Sequence, residues 1–363
     1  MSVDYEAQTR LTRAMSTPAP SLTPRPPALS EADQAALTDL YVRGTPPNTL
    51  RAYERDLIYL TAWKQAAFNT PLAWPEDENV ALRFILDHSR DLTDAQDAAR
   101  DAAEALIAQG LRKTLACPAP STLDRRIASW RAFHRMKNLT SPFDAPLIRQ
   151  TRGKARRAAA RRHAPKSANP ITREVLEQIL DSCGHSLRGI RDKAILMLGW
   201  ASGGRRRSEI AGLMREDVDL RDFERDGIIW IKLVGTKTTD IGKTPRLVLK
   251  SRAAEALAFW IEVGGIDDGP LFRPINRNDD PLERRLSPDG IYQIVQNRLK
   301  AAGFPKGFAT PHGLRSGFLT QAALDGAPIQ AAMRLSLHRS LAQAQKYYDD
   351  VDIVDNPATE LLG

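Results

Sequence analysis

The chain has 363 residues, which is long enough for two domains that each bury a core. Its content of 42% apolar and 26% charged residues excludes global disorder, and its net charge of +8 favours a polyanionic partner, nucleic acid before an anionic membrane surface. The two cysteines, Cys117 and Cys183, form no C-x-x-C pair, which argues against a disulfide framework and a zinc site. The sequence shows no apolar run of about 18 residues and no secretion signal, so a cytoplasmic protein without a membrane partner is expected.

The first domain is predicted to be helical. Residues 1–29 are rich in Ser, Thr and Pro, which is typical of a flexible lead-in, and residues 30–148 follow a helical pattern. Two apolar stripes with steps of three and four indicate helices whose stripes lie in a core. The stripes comprise Leu50, Tyr53, Leu57, Leu60 and Trp63, and then Leu123, Ile127, Trp130 and Phe133.

Arginines flank both stripes and continue into a basic segment. Residues 149–166 hold eight Lys or Arg and no acid, which is typical of an exposed linker or interaction arm, so we place a basic linker at residues 149–170. Whether these basic faces contact phosphate or only solvent is left open by the pattern. The candidate DNA-binding residues are Arg51, Arg55, Arg125, Arg126, Arg156, Arg157, Arg161 and Arg162.

The second domain is predicted to span residues 171–363 and to be helical with one interruption. Residues Ile228–Val234 are apolar and β-branched, a polar stretch with two glycines follows, and Arg246–Leu249 resumes strand character. This order predicts a β-hairpin with a long loop. The expected fold is therefore mainly α, with two domains and a small β-hairpin in the second.

Three clusters in the second half carry candidate chemistry. His312 and Arg315 are three residues apart, so a helix would place them on one face. Tyr347 follows His338 by nine positions, which fits a turn and a returning helix. In chain order the candidates are Arg206 and Glu209, then His312 and Arg315, then His338 and Tyr347.

These residue types suit the cleavage of a phosphodiester without a metal. Guanidinium groups match the nonbridging phosphate oxygens, because they are planar, permanently charged and bidentate. A tyrosine phenol, with an ordinary pKa of about 10, needs nearby positive charge or a base before it can attack. A Lys or His can donate the proton that the leaving 5′ oxygen needs. The sequence contains no Walker A, HExxH or G-x-S-x-G motif that would indicate another chemistry.

The motifs resemble those of the phage-integrase or tyrosine-recombinase family, which includes Xer-type, Cre-type and lambda-type recombinases. The family's first-arginine motif is roughly G-L-R-x-S-E-L, and residues 204–210 read G-R-R-R-S-E-I. Its H-x-x-R box matches His312 and Arg315, and its histidine-to-tyrosine interval leads from His338 to Tyr347. Residues 48–57 read N-T-L-R-A-Y-E-R-D-L, similar to the start of the family's core-binding domain, so the likeness runs from about residue 30 to about 350.

The resemblance implies a role for each candidate. The family's catalytic lysine lies in the turn of a β-hairpin, often as T-K-T, which makes Lys237 the candidate and Lys243 the reserve. The implied roles are nucleophile for Tyr347, phosphate binding for Arg206 and Arg315, support for Glu209, proton transfer for His312, a phosphate hydrogen bond for His338 and proton donation to the 5′ oxygen for Lys237.

The chain departs from the family pattern around His338. Leu337 replaces the usual glycine, and Arg339 replaces a small residue. Tyr348 stands next to Tyr347, so the choice between the two as nucleophile rests on the interval alone. Arg205 and Arg207 likewise flank Arg206, and the following S-E-I fixes the register.

The resemblance also implies architecture and partners. It predicts a clamp around duplex DNA, with a core-binding domain at residues 30–148 and a catalytic domain with a C-terminal tail at residues 171–363. The expected reaction forms a 3′-phosphotyrosyl link and frees a 5′-hydroxyl, without metal, ATP or other cofactor. The expected partners are a double-stranded recombination site, further copies of the chain (a dimer on each site and a tetramer in the synapse) and accessory DNA-binding proteins. The expected setting is the bacterial cytoplasm, at the nucleoid or a plasmid.

Two other classes of function stay open at this point. One is a non-catalytic DNA-binding protein on the same scaffold, and the other is a type IB topoisomerase or a hairpin-forming resolvase. Among recombinases, a mobile-element integrase, a dimer resolvase and a transposon recombinase fit the motifs equally. The short lead-in favours an Xer-like or Cre-like enzyme over a lambda-type one with an arm-binding domain.

Overall fold

The computed structural model describes residues 30–158, 167–233, 245–338 and 340–352. These residues form two compact units, which meet in the sequence between residues 158 and 167. Each unit has a hydrophobic core of its own. Among the described residues, no helix combines the length and the apolar character needed to cross a membrane.

The described part of the first unit is helical. Ser30 caps the first helix through a capping box with Asp33, and prolines occupy the first turns of the second and fifth helices. The helices are α1 (Glu31–Gly44), α2 (Pro47–Phe68), α3 (Glu78–Asp87), α4 (Ala98–Ala108), α5 (Pro120–Met136) and α6 (Pro146–Ala158).

An aromatic cluster forms the core of the first unit. Trp63 on α2 meets Phe84 on α3 and Trp130 on α5 edge to face, at centroid distances of 4.9 and 6.3 Å. Most members of the two apolar stripes predicted from the sequence are buried there, including Leu60, Trp63, Leu123, Ile127, Trp130 and Phe133.

Helix α6 occupies the first part of the predicted basic linker. Ile148 and Ala155 on one face of this helix are buried in the core of the first unit. Its basic residues Arg156 and Arg157 are exposed. The linker was predicted from the charges alone. The few apolar residues of α6, which pack residues 149–158 onto the first unit, were not recognised.

The second unit combines helices with one small sheet. Its helices are α7 (Arg173–Asp181), α8 (Leu187–Ala201), α9 (Arg207–Gly212), α10 (Phe223–Asp226), α11 (Ser251–Val263), α12 (Pro288–Ala301), α13 (His312–Leu324), α14 (Ile329–Ser336) and α15 (Leu341–Asp352). Its strands are β1 (Val218–Asp219), β2 (Ile228–Lys232) and β3 (Arg246–Lys250). The mainly helical class predicted from the sequence is confirmed.

The strands form an antiparallel sheet in the order β1-β2-β3. Strands β2 and β3 pair with Trp230 opposite Val248, which is the predicted hairpin. Ile229, Ile231, Leu247 and Leu249 alternate towards the core, as the period of a half-buried sheet requires. The short strand β1 was not predicted, because two residues carry no readable alternation.

Candidate active site

The arginine motif begins where helix α8 ends. Gly203 and Gly204 have φ values of 94° and 72°, a left-handed conformation that glycine adopts without strain. A Cβ atom on Gly204 would lie 2.2 Å from the Cα of Arg315, so the chain passes against helix α13 with no room for a side chain. This contact brings two distant arginine-bearing segments together.

Arg206 is the N-cap residue of helix α9 and is held by Glu209. Its backbone N–H donates to one carboxylate oxygen of Glu209 at 3.1 Å, and its Nη1 donates to the other at 2.6 Å. The side chain of Glu209 is 8% exposed and that of Arg206 is 38% exposed. The carboxylate therefore orients the guanidinium while part of it stays open to solvent.

His312 and Arg315 share the first turn of helix α13, as their spacing predicts. Arg315 is buried, and its Nη1 donates to the carbonyl of Gly204 at 3.1 Å. Burial and, after it, the charges of Arg205 and Arg206 lower the pKa of Arg315 to about 10. The guanidinium still carries its charge at neutral pH, and that charge is poorly solvated.

A cleft of about 290 Å³ joins these segments. Among the residues that the structure describes, its lining includes four arginines and no carboxylate. Such a surface attracts a multiply charged anion, because burial strengthens the field of each guanidinium. The lining residues are Arg205, Arg206, Arg207, Tyr292, Thr310, Pro311, His312 and Arg315.

His338 lies against Arg315. The Nη2 of Arg315 is 3.1 Å from Nδ1 of the ring and its Nε is 3.3 Å from Nε2, while the Oγ of Ser336 is 2.7 Å from Nδ1. Burial and, after it, the charges of Arg315, Arg206, Arg205 and His312 together lower the pKa of His338 to about 4. The ring is therefore neutral at pH 7.

The two adjacent tyrosines on helix α15 have different environments. Tyr348 is 7% exposed, and its hydroxyl donates to the carbonyl of Ala327 at 3.0 Å. Tyr347 is half-buried. Burial raises the pKa of Tyr347, and the charge of Arg315 opposes that increase. The phenol of Tyr347 is thus one whose pKa responds to the charge of Arg315, although Tyr347 is not among the residues that line the cleft.

The remaining candidates lie elsewhere. Arg125 forms an ion pair with the buried carboxylate of Asp56, and the guanidinium of Arg126 stacks 3.2 Å from the ring centre of Tyr59. Arg51 donates to Asn48 at 2.8 Å, and Arg55 to the carbonyl of Arg51 at 3.3 Å. The candidates Lys237, Lys243, Arg161 and Arg162 lie outside the described residues.

Sequence reasoning missed three contributors to this site. Tyr292 and Thr310 line the cleft, and Ser336 contacts His338. Ser336 stands two positions before His338, immediately before the altered G-H-S box, so the motif pointed to its neighbourhood. Tyr292 comes from helix α12, and no motif or spacing connects it with the arginines.

Comparison with known proteins places this fold and site in a family. The model of the phage integrase family matches residues 169–352, just over half of the chain. The integrase/recombinase XerD homologue of Selenomonas ruminantium is 27% identical over 322 residues, with 86% of this chain and 84% of that protein covered. Tyrosine recombinase XerD of Xanthomonas axonopodis pv. citri is also 27% identical, with 84% and 88% covered.

Solved structures agree in fold. The Tn1549 transposon integrase in complex with transposon right end DNA matches with a TM-score of 0.54 and 16% identity, covering 87% of this chain and 93% of that one. XerH site-specific recombinase bound to its difH substrate matches with a TM-score of 0.51 and 16% identity, covering 98% and 94%.

The fold and its relatives define a DNA strand-exchange enzyme that carries out site-specific recombination. The chain belongs to the phage integrase family, the tyrosine recombinases. The family and the class of reaction expected from the motifs are thereby confirmed.

Proposed function

We propose that Tyr347 is the nucleophile of this recombinase. Its Oη forms a bond to the scissile phosphorus, the bond from phosphorus to the 5′ oxygen breaks, and the 5′ oxygen leaves with a proton as a hydroxyl. The 3′-phosphotyrosyl link keeps the energy of the phosphodiester, so the 5′-hydroxyl of a second strand can attack it and complete the exchange. The environment of Tyr348 supports this choice, because Tyr348 is buried and its hydroxyl donates a hydrogen bond to the carbonyl of Ala327.

Arg206 and Arg315 hold the nonbridging oxygens of that phosphate. They come from separate segments and line one cleft, whose lining among the described residues includes no carboxylate, and Glu209 orients Arg206. An arriving phosphate compensates the poorly solvated charge of Arg315 and takes over contacts that this guanidinium makes with His338 in the free protein.

The other groups manage protons. His312 lies in the same cleft and assists proton transfer at the phenol, while neutral His338 donates a hydrogen bond to the phosphate. Lys237 donates the proton to the 5′ oxygen, an assignment that rests on the family motif. The phenol starts with a raised pKa, so its deprotonation depends on DNA completing the site.

The first unit contributes contacts to the phosphate backbone of duplex DNA. A cleft of about 670 Å³ on this unit is lined by five cationic side chains, and Asp56 is the carboxylate among the lining residues that the structure describes. Its cations are Arg55, Arg112, Lys113, Arg125 and Arg126. Arg51, Arg156 and Arg157 are further proposed phosphate contacts, as are Arg161 and Arg162, which lie outside the described residues, and a clamp around the duplex is the arrangement that the family resemblance implies.

Recombination joins two sites, so a dimer on each site and a tetramer in the synapse are the proposed assemblies, with accessory DNA-binding proteins in some settings. The proposed place of action is the bacterial cytoplasm, at the nucleoid or a plasmid. Deletion of residues 354–363 is expected to weaken assembly more than binding to a single site.

Trapping the covalent link tests the nucleophile. The substrate is a nicked duplex that carries a site recovered by affinity selection from host DNA, so that cleavage releases a short strand and cannot reverse. Wild type is expected to give a protein–DNA adduct that survives denaturant, and Tyr347→Phe is expected to give none while it still binds the duplex. The adduct is measured on a denaturing gel.

Tyr348→Phe is the matched control. It removes the hydrogen bond to Ala327, so it should cost about 1 kcal/mol of unfolding free energy and still form the adduct. If Tyr347→Phe still forms the adduct and Tyr348→Phe does not, the nucleophile is Tyr348. Binding without any adduct in wild type would indicate a DNA-binding protein, and relaxation of supercoils without joining two sites would indicate a topoisomerase.

A further inference from the structure

Arg205 is a buried cation beside the candidate active site, and the roles proposed above do not use it. It stands where the family's arginine motif carries leucine, and its side chain is 1% exposed. Its pKa falls to about 10, first because of burial and then through a balance between Glu209, which raises it, and Arg206, which lowers it. A cation in such a place needs partners that compensate its desolvation.

One partner lies at the end of helix α14, and the other is Glu209 on helix α9. The Nη2 of Arg205 donates to the carbonyl of Leu335 at 2.6 Å, and its Nη1 lies 3.8 Å from the carboxylate of Glu209. The Leu335 carbonyl belongs to the last turn of the helix, where carbonyls lack intrahelical partners and the helix dipole favours a cation. Arg205 thus caps α14 from a loop 130 residues earlier in the chain.

The backbone on both sides of this contact is tightly packed. A Cβ atom on Gly203 would lie 2.4 Å from the carbonyl group of Leu335 and 2.5 Å from the backbone N of Ser336. The arginine loop and the end of α14 therefore touch main chain to main chain, and Arg205 adds a hydrogen bond to that contact. A change at Arg205 acts directly on the last turn of α14.

His338 follows that turn at once. Helix α14 ends at Ser336, Leu337 adopts a left-handed conformation with φ of 54°, and the backbone N–H of His338 donates to the carbonyl of Met333 at 3.3 Å. The Oγ of Ser336 also contacts the ring of His338. The ring position thus depends on how the last turn of α14 is held.

Positive groups from two elements face this ring. Helix α13 contributes Arg315 and His312, and the arginine loop contributes Arg206 and Arg205. Together with burial they lower the pKa of His338, so the charge of Arg205 helps to keep the ring neutral.

We propose that Arg205 is a positioning residue for the recombinase reaction, which fixes His338 by capping helix α14 and by placing a positive charge near its ring. This inference rests on the proposed function, since it presumes that His338 contacts the scissile phosphate. It predicts that Arg205 affects the rate of cleavage through His338, more than it affects DNA affinity.

The first test is a double-mutant cycle on the nicked substrate. Arg205→Leu restores the family's residue and removes both the cap and the charge, so the rate of adduct formation should fall about tenfold, while affinity in a gel shift changes less than about twofold. In a His338→Ala background the same change should cost less than about twofold, because the residue through which it acts is gone. Arg225→Leu, an exposed arginine on α10 that pairs with Asp222 and Asp226, is the matched control and should leave the rate unchanged.

Two results would overturn the inference. One is an equal rate loss in the wild-type and His338→Ala backgrounds, which would indicate a general effect on folding. The other is an unchanged rate in Arg205→Leu. If wild type binds the duplex but forms no adduct, the proposed function fails, and a measurement independent of activity still tests Arg205.

That measurement is the labelling of His338 with diethyl pyrocarbonate, followed by mass spectrometry across a pH series. The reagent modifies neutral imidazole, so the pH midpoint of labelling reports the protonation of the ring. The midpoint should move to higher pH in Arg205→Gln, whose amide can still donate to Leu335 but carries no charge, and should stay in place in Arg205→Lys. Arg205→Gln and Arg205→Lys also test the proposal if Arg205→Leu does not fold. Equal midpoints in all variants would contradict the proposal.

Discussion

At the scale of single residues, Leu337 shows how this chain departs from its family without losing the local structure. The family's glycine is replaced by leucine, and the backbone keeps the left-handed conformation that favours glycine. That conformation costs a residue with a Cβ atom about 1 kcal/mol or more. Leu337 packs against the large core of the second unit, and this burial offsets the strain.

Two substitutions separate strain from packing at Leu337. Both Leu337→Ala and Leu337→Gly lose the side-chain contacts, but only alanine keeps the left-handed strain. The glycine variant is therefore expected to be the more stable by about 1 kcal/mol, the reverse of the usual order near a helix. Urea unfolding of the two proteins measures this difference, and an alanine variant that equals or exceeds the glycine variant would disprove the account.

The candidate site could be predicted from sequence only as far as its motifs reach. The spacing placed His312 and Arg315 on one face of a helix, and the structure shows them on the first turn of α13. The sequence favours Tyr347 over Tyr348 only by its interval from His338, and the contact that distinguishes Tyr348 is visible only in the fold, because its carbonyl partner belongs to Ala327, 21 residues away. Long-range partners of this kind leave no periodic trace in a sequence.

At the scale of elements, the packing of α2 against α5 distinguishes an arginine of the first unit that pairs with a buried carboxylate from one that lies on the surface. Asp56 on α2 is 1% exposed, and it accepts hydrogen bonds from Arg125 and from the Oγ of Ser129 on α5. The sequence presented Arg125 and Arg156 alike as basic surface residues. The partner of Arg125 lies 69 residues away, so only the packed helices distinguish the two.

Substitution by alanine should expose this difference. Arg125→Ala leaves the buried carboxylate of Asp56 with the hydrogen bond from Ser129 and the nearby charge of Arg126, and we expect a loss of about 2 kcal/mol of unfolding free energy, moderated because Arg125 is itself half-exposed. Arg156→Ala should change stability by less than about 0.5 kcal/mol, weaken DNA binding and reduce the slope of log affinity against log salt by about 1. Denaturant unfolding measures the stability of each variant, and DNA binding at a series of salt concentrations measures the effect on affinity. Equal stability of the two variants would refute the structural role of Arg125.

At the scale of the whole molecule, the two units differ in how they bury histidine. His88 and His134 in the first unit are 1% and 0% exposed. The Nδ1 of His88 lies 2.7 Å from the carbonyl of Phe84, and its Nε2 lies 2.8 Å from the hydroxyl of Tyr59, so both ring nitrogens are engaged in the neutral form. His338 in the second unit is only half-buried. Its pKa is lowered as well, but the first unit holds two such rings and should therefore lose more stability in acid.

The direction of the pH effect follows from the pKa values. Burial, with help from the charge of Arg126, lowers the pKa of His88 to about 3, and burial also lowers the pKa of His134. A lowered pKa in the folded state means that only the unfolded chain takes up protons as the pH falls below about 6.5, so unfolding becomes easier from there downward. For His88 alone the expected loss between pH 7 and pH 5 is about 2 kcal/mol.

His88→Gln is expected to lower stability at pH 7, because the ring and its contacts are lost, yet to lose about 2 kcal/mol less than wild type on going to pH 5. Hydrogen exchange followed by mass spectrometry resolves the units, and wild-type protection should decrease in residues 30–158 before it decreases in residues 167–352. His185→Gln, which replaces an exposed histidine of the second unit, should leave this pH dependence unchanged. If His88→Gln loses as much unfolding free energy between pH 7 and pH 5 as wild type does, another group controls the acid response, because the substitution removes the buried ring that resists protonation.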